Sequence, residues 1–141
     1  MIAGETATGL IEALRAVVRT GRALKQDDHQ AAAAVLAGLS RGGEQRLGQL
    51  ACGLAVDPSV VSRQVAGLTR AGLVARRPDP GDGRAGLLSL TDRGADWLAA
   101  HRRKEADRLV GLLAGWSEDD VGCLLGYLRK LNDDIGKEQH R

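Results

Sequence analysis

The stretch that decides the fold is RRPDPGDGRAGLLSLTDRG, which runs from Arg76 to Gly94. It contains two prolines, glycines at positions 81, 83 and 86, and an apolar segment that begins at position 87. Such a cluster of turn-forming residues predicts a β-hairpin, with strands over residues 73–77 and 87–90 and a loop between them. Arginines at 76, 77 and 84 belong to this hairpin, which is an unusual choice for a simple connection.

Helical periodicity predicts helices on both sides of the hairpin. The expected bounds are 6–26, from Asp27 or Asp28 to Gly43, 47–54, 58–71, 92–115, and from Ser117 onward. Asp57 is a suitable N-cap for the fourth helix, and Pro58 suits its first position because the missing N–H costs nothing there. Thr91 and Ser117 are the expected caps of the last two helices.

Composition favours one helical domain inside the cell. The chain has 141 residues and only 2% aromatics, so leucine, valine and alanine must build the core. The longest apolar run, residues 31–37, is too short to cross a membrane, and the N-terminus lacks the pattern of a signal peptide. Two cysteines do not make a disulfide framework. We therefore expect a cytoplasmic protein without a membrane partner.

Positive charge is concentrated in the centre of the chain. The formal net charge is only +2. Residues 41–90 contain seven arginines and four acids, which gives +3, whereas residues 117–141 contain four basic residues and six acids, which gives −2. The distribution, rather than the total, therefore indicates a nucleic-acid partner.

The third and fourth helices have the pattern of a helix-turn-helix. The residues expected to face inward are Leu50, Ala51, Leu54 and Val56, followed by Val61, Val65 and Leu68. The residues expected on the outer face of the fourth helix are Ser59, Val60, Ser62, Arg63 and Gln64. A helix fits the major groove of DNA and reads base edges from its N-terminal half. The alternative is a three-helix packing with a polar outer face that never contacts DNA.

The hairpin strengthens the DNA interpretation. Arg84 lies near the expected loop tip, where it can enter a narrow minor groove, and Asp82 could brace its guanidinium. Arg76 and Arg77 add further positive charge. The alternative is a solvated hairpin with surface arginines.

Motif residues in this central region resemble those of a known family. They are Leu50-Ala51, residues 57–63 (DPSVVSR), Leu68, residues 71–74 (AGLV), Arg76-Arg77, Asp79-Pro80, Asp82-Gly83-Arg84 and residues 90–94 (LTDRG). The Asp-x-Arg and Leu-Thr-x-x-Gly patterns are the most specific of these. The chain is similar to the MarR family of bacterial winged helix-turn-helix regulators, and the flanking helices match it in pattern only.

The resemblance implies a mainly α fold with a small β-hairpin wing. Residues 41–91 would form the winged helix-turn-helix lobe, and residues 1–40 and 92–141 the dimerisation helices. It implies a homodimer on a near-palindromic double-stranded DNA operator, usually a repressor released by a ligand or an oxidant. The residues carried over are Ser59, Ser62, Arg63 and Gln64 for the major groove and Arg84 for the minor groove, oriented by Asp82.

The effector is less defined by the sequence. A small-molecule pocket could use Arg15, Arg19 and His101, although a partly exposed histidine in a charged run is the commoner case. Oxidant sensing would use Cys52 or Cys123, but free cysteines are mostly buried small hydrophobes. The cysteine that peroxide-sensing relatives carry near the start has no counterpart here. The three histidines are widely separated, so we expect no metal and no cofactor.

Two other classes remain as alternatives. An enzyme would need a nucleophile, a base and an orienting group, and no such set is visible, so we expect no enzymatic activity. The residues Gly81-Asp82-Gly83 lack the following lysine and hydroxyl residue of a phosphate loop. A winged-helix module that binds proteins rather than DNA is the second alternative, and salt dependence of duplex binding would distinguish it.

Overall fold

A computed structural model describes residues 1–24 and 29–139 of the chain, with side chains of the first helix described up to residue 21. The predicted N-cap at Asp27 or Asp28 lies outside the described residues. Within them the order of elements is α1 (Gly4–Leu24), α2 (Gln30–Gly42), β1 (Gln45–Arg46), α3 (Leu47–Leu54), α4 (Pro58–Arg70), β2 (Val74–Asp79), β3 (Asp82–Leu90), α5 (Asp92–Leu112) and α6 (Glu118–Gln139). This is the mainly helical, winged helix-turn-helix fold expected from the sequence.

Glycine ends α2 as predicted. Gly43 has φ +69°, and its N–H donates to the carbonyl oxygen of Leu39 at 2.9 Å. A left-handed residue after the last turn satisfies a carbonyl that the helix itself leaves without a partner, and glycine adopts this conformation without strain.

The turn between α3 and α4 is short and specific. Ala55 has φ 53° and ψ 41°, a left-handed conformation, and it redirects the chain after the last turn of α3. Asp57 then caps α4, because its Oδ1 accepts hydrogen bonds from the N–H of Ser59 at 2.8 Å and from its hydroxyl at 2.6 Å. The predicted cap and the proline at the first position of α4 are confirmed.

The core lies where the helix-turn-helix meets the hairpin. Its buried members are Val35, Leu36, Leu39, Leu50, Ala51, Val61, Val65, Leu68, Leu73, Val74, Leu88 and Leu98. The inward stripe predicted for α4 is confirmed. The prediction for Val56 is wrong, because this side chain is 42% exposed. It follows the left-handed residue Ala55, which ends the helical register on which the prediction relied.

The hairpin strands are longer than predicted. The strand β2 pairs antiparallel with β3 from Val74↔Leu90 to Asp79↔Asp82, so only residues 80 and 81 separate the strands. The prediction took the prolines and glycines as one long loop. Pro78 is tolerated in β2 because β2 is an edge strand of the sheet, where the missing N–H disrupts no further pairing.

A third strand was missed in the sequence. The sheet has the order β1-β3-β2, and the two residues of β1 pair with β3 through Gln45↔Leu88 and Arg46↔Leu87. A strand of two residues has no readable alternation of polar and apolar side chains. The wing is therefore attached to the start of α3 as well as to the end of α4.

The caps of the last two helices are confirmed. The N–H of Gly94 donates to the Thr91 hydroxyl oxygen at 3.0 Å, and the N–H of Asp120 donates to that of Ser117 at 3.1 Å. The helix α5 ends at Leu112, three residues before the predicted end at Gly115.

The chain forms two compact units, and their boundary falls inside α5. The first unit, Met1–Ala99, contains the core, the helix-turn-helix and the wing. The second begins at Ala100 and contains the rest of α5 and α6, none of whose residues in Glu118–Gln139 is buried. In the described part of the chain, no helix combines the length and apolar character needed to span a bilayer.

Candidate nucleic-acid interface

The outer face of α4 presents a polar row opposite its buried stripe. Val61, Val65 and Leu68 are at most 6% exposed and fix this helix on the core. The residues predicted for the outer face lie on the open side: Ser59, Val60, Ser62 and Arg63 are exposed, and Gln64 is partly exposed. The helix therefore offers a short polar surface with one cation on a rigid support.

The N-terminal end of α4 is already occupied by a carboxylate. The hydrogen bonds from the Ser59 hydroxyl and N–H lower the pKa of Asp57 below its ordinary value, which keeps the group ionised. Because the Ser59 proton is directed at Asp57, the free lone pairs of its oxygen can only accept. This favours contact with a base amino group over contact with a phosphate.

Two arginines of the sheet are held by carboxylates that lie 33 residues away in the chain. Arg77 donates to both carboxylate oxygens of Glu44, with Nε to Oε2 at 2.7 Å. Arg46 donates to Oδ2 of Asp79 through Nη2 at 2.6 Å and through Nε at 2.9 Å. We call these four residues the wing clamp.

The register of the sheet explains the clamp. Arg46 and Arg77 are both paired with Leu87, one from each neighbouring strand, so the two arginines share a face of the sheet. Each then reaches a carboxylate on the far side of β3: Arg46 contacts β2, and Arg77 contacts the residue before β1. The clamp thus joins the two outer strands across the middle one.

The clamp favours the charged forms of Glu44, Arg77 and Asp79. The hydrogen bond from Arg77 lowers the pKa of Glu44, and Glu44 in turn raises the pKa of Arg77. The pKa of Asp79 is lowered by the N–H of Gly81 and then by Arg46. Sequence reasoning missed Glu44, Arg46 and Asp79 as partners, because no short-range pattern joins residues so far apart.

Arg84 projects from an irregular part of β3. The pairing register between β2 and β3 shifts between Pro78 and Asp79, so that residues 83–85 of β3 have no paired residue on β2. Bulged segments of this kind redirect side chains at the edges of sheets. Asp82 accepts the backbone N–H of Arg84 at 3.1 Å, which differs from the predicted brace on the guanidinium. The carboxylate fixes the backbone that carries Arg84.

The residues predicted for a ligand pocket fall in both units. Arg15 and Arg19 lie one turn apart and exposed on α1, in the first unit. His101 belongs to the second unit, and its Nε2 lies 3.4 Å from Oε1 of Glu105. It is 8% exposed, so the expectation of a partly exposed histidine is wrong. It follows Leu98 by three positions and shares the apolar side of α5.

Both cysteines are free and exposed. The expectation that they would be buried small hydrophobes is therefore wrong. Cys52 lies on the outer side of α3, next to the buried Ala51, and Cys123 lies on α6. Among the described residues, no group of three or more histidine, cysteine or acidic side chains is arranged to hold a metal ion.

The second unit contains an apolar groove of about 440 Å³. It lies where the end of α5 meets the start of α6, and its large lining side chains are Leu109, Val110, Leu113, Trp116 and Val121. Trp116 is 50% exposed and Val110 is 71% exposed. These side chains leave apolar surface open to solvent at the groove.

Comparison with known proteins identifies a family for the central region. A model of the MarR family matches residues 30–85. The transcriptional regulator YxaD of Bacillus subtilis, of the HTH type, is 33% identical over 64% of this chain, and the match spans 63% of its own length. The HTH-type transcriptional regulator ML2140 of Mycobacterium leprae is 33% identical over 74% of this chain and 76% of its own.

Solved structures share the fold over almost the whole chain. The PcaV transcriptional regulator of Streptomyces coelicolor, solved in complex with its natural ligand, has a TM-score of 0.61 and is 25% identical. The two chains are covered to 94% and 98%. A MarR family protein of Bacillus stearothermophilus has a TM-score of 0.75 at 21% identity, with 96% and 99% of the chains covered, and this likeness concerns the fold.

Proposed function

The chain belongs to the MarR family of transcriptional regulators, and from this premise we propose that it binds a near-palindromic duplex operator as a homodimer. In this proposal residues 41–91 form the DNA-binding lobe, and residues 1–40 and 92–141 form the dimerisation region. The dimer represses transcription from the operator, and a small-molecule ligand releases it.

The single observation that carries the proposal is the outer face of α4. Its three buried residues fix the helix on the core, and its N-terminal half turns Ser62, Arg63 and Gln64 toward solvent. In helix-turn-helix proteins this half of the second helix reads base edges in the major groove. Arg63 is the residue suited to a bidentate contact with guanine.

The wing supplies the second contact. Arg76 and Arg84 are exposed on the hairpin, and neither forms an ion pair with a carboxylate within the described residues. Arg84 follows the two-residue turn closely and suits a narrow minor groove, where the negative potential is enhanced. Arg77 is held by Glu44, so we propose for it a role in orienting the wing as well as in adding positive charge.

Exposed apolar surface supports the homodimer. On α1, Leu10, Ile11, Val17 and Val18 are 46–68% exposed. On α6, Leu124, Leu125, Leu128 and Ile135 are 41–52% exposed. Apolar side chains repeated along a helix are stabilised when a second surface covers them, and two identical chains offer the same surface to each other.

Ligand release is supported by a relative. PcaV was solved in complex with its natural ligand, so this fold accommodates a ligand in at least one regulator of similar sequence. We propose Arg15, Arg19 and His101 as ligand contacts. Two exposed arginines one turn apart on α1 favour an anionic ligand, for which a carboxylate is the simplest class.

The test is selection of bound sequences from random duplex DNA, followed by a salt titration on the selected site. We expect enrichment of a sequence with two related half-sites about one helical turn apart. The logarithm of affinity should fall linearly with the logarithm of salt concentration. If no sequence is enriched and any binding to duplex DNA is independent of salt, the alternative of a winged-helix module that binds proteins and not DNA is favoured.

Exposure of both thiols supports a second candidate, a regulator released by oxidants. Cys52 lies on α3, within the proposed DNA-binding lobe, so its oxidation could disturb operator binding directly. Peroxide should then lower the operator affinity of the parent chain and leave the operator affinity of the Cys52→Ser variant unchanged. Equal loss in both chains would exclude this role for Cys52.

A further inference from the structure

The side chain of Arg76 occupies the space where a side chain at position 86 would lie. Arg76 is paired with Leu88 across the hairpin, which makes Gly86 its diagonal neighbour on the same face. A Cβ built on Gly86 would lie 3.0 Å from Cζ and Nη2 of Arg76, and closer still to Nε. Real Cβ atoms essentially never approach so closely, so the guanidinium rests over Gly86 because that residue has no side chain.

This position brings Arg76 to the same cavity as Arg84. The cavity has a volume of about 250 Å³ and is lined by residues 76–78 and 83–86. The lining contains arginines at 76, 77 and 84 and no acidic residue. Since the Arg77 guanidinium is bound by Glu44, the cations that remain for an external anion are those of Arg76 and Arg84.

We propose that Gly86 is a positioning residue that lays the Arg76 guanidinium across β3, so that Arg76 binds a phosphate group of the DNA backbone next to the minor groove that Arg84 enters. This inference rests on the proposed function. An arginine offers a fork of N–H donors that matches phosphate oxygens, and Arg76 presents this fork at the cavity that it shares with Arg84.

The substitution Gly86→Ala tests the role of the missing side chain. The atoms that the new methyl group would meet belong to the far end of the flexible Arg76 side chain. Arg76 can therefore rotate away, and the hairpin should keep its fold. We expect the salt slope of operator binding to fall by about 0.9, because one phosphate contact is lost. Between 50 and 200 mM salt, the ratio of parent to variant affinity should then shrink by about 3.5-fold.

A double-mutant cycle assigns the effect to Arg76. The variant Arg76→Ala should show the same reduced slope, and adding Gly86→Ala to it should change nothing further. The matched control is Gly48→Ala on α3, away from this cavity, since a Cβ there also meets no atom within 4 Å. It should bind like the parent. A thermal melt followed by circular dichroism checks that each variant remains folded.

Three results would overturn the inference while leaving the proposed function intact. One is a Gly86→Ala variant with the affinity and salt slope of the parent. Another is a double variant in which Gly86→Ala lowers operator affinity by its full single-variant amount, in addition to the loss caused by Arg76→Ala. The third applies even if Gly86→Ala fails to fold: an unchanged salt slope in Arg76→Ala would show that Arg76 contacts no phosphate. Failure of the proposed function differs, since the parent itself would then bind no operator.

Discussion

Thr91 ties the start of α5 to the end of α4, because its hydroxyl donates a hydrogen bond to the carbonyl oxygen of Gly72 at 2.7 Å. The hydroxyl oxygen of Thr91 in turn accepts a hydrogen bond from the N–H of Gly94 at 3.0 Å, and the N–H of Thr91 donates to the carbonyl of Leu73. A Cβ on Gly94 would overlap that carbonyl oxygen of Leu73. The Leu-Thr-x-x-Gly pattern thus closes the base of the wing.

Replacing Thr91 with valine should destabilise the fold. The change keeps the shape of the side chain but removes the cap of α5 and the donor to Gly72. We expect the free energy of unfolding to fall by about 1–2 kcal/mol, as for other lost caps. Urea denaturation followed by circular dichroism measures it, with Thr91→Ser as the control that keeps both bonds. Equal stability of the valine variant and the parent would contradict this role.

The wing clamp should make stability depend on acid pH. Arg77 lowers the folded pKa of Glu44 below the ordinary value of a glutamate, so the unfolded chain takes up the proton at a higher pH than the folded chain. The stabilisation is therefore present above the unfolded pKa and is lost as the pH falls through the folded one. The difference in unfolding free energy between the parent and Glu44→Gln should narrow as the pH falls from neutral through and below the ordinary pKa of a glutamate.

The control for this titration is Glu12→Gln on α1, an exposed glutamate outside the clamp. Its difference from the parent serves as the baseline over the same range. A difference for Glu44→Gln that follows this baseline would mean that the ion pair contributes nothing to folding. Higher salt should weaken the pH effect of Glu44→Gln, because both pairs are partly exposed.

Arg63→Ala should relax base preference at one position in each half-site. The loss on a cognate site should be about 1–3 kcal/mol, with a smaller loss on random duplex DNA. The matched control is Arg70→Ala, which removes the same charge from the exposed C-terminal end of α4. If Arg63→Ala weakens cognate and random DNA equally, Arg63 contacts phosphate and not a base.

Arg84→Ala should reduce both operator affinity and the preference for A·T-rich flanks, with the salt slope lower by roughly one unit. Arg84→Lys keeps the charge but loses the planar fork, so it should restore the salt slope better than the flank preference. Asp82→Ala should cause a smaller loss, since it frees only the backbone that carries Arg84. If all three variants bind the operator with the affinity of the parent across a salt titration, the wing is excluded from the DNA interface.

Leu128→Glu should separate the proposed dimer without unfolding the chain. Leu128 is 44% exposed and α6 has no buried residue, so the charge meets an apolar environment only when another surface covers the helix. We expect loss of the dimer by light scattering, together with loss of operator binding. Lys130→Glu, two positions further along α6, is the control. A stable dimer of the Leu128→Glu variant would remove α6 from the interface.

The sequence predicted elements whose signals are local. The cap at Asp57, the buried stripe of α4 and the glycine end of α2 each depend on residues within a few positions of one another. The strand β1, the wing clamp and the fit of Arg76 over Gly86 each join residues distant in the chain. No pattern within a single segment could have indicated them.

The hairpin errors have a different cause. Proline and glycine locally indicate a loop, but an edge strand accepts Pro78, and the Arg76 side chain from the opposite strand occupies the space that a side chain at Gly86 would need. The helical pattern of α3 predicts a buried Val56 only if it continues through Ala55, whose left-handed conformation ends it. In each case a contact made elsewhere in the fold outweighed the local preference.

The short turn of the wing has a thermodynamic consequence. Because β2 and β3 continue to Asp79 and Asp82, only two residues at the tip lie outside the strands. A long glycine-rich loop would lose much conformational entropy when it is fixed in a groove, whereas a paired hairpin has lost most of it during folding. In the proposed complex, the wing arginines would therefore meet DNA on a backbone that is already ordered, and little of the binding energy would be consumed in ordering the chain.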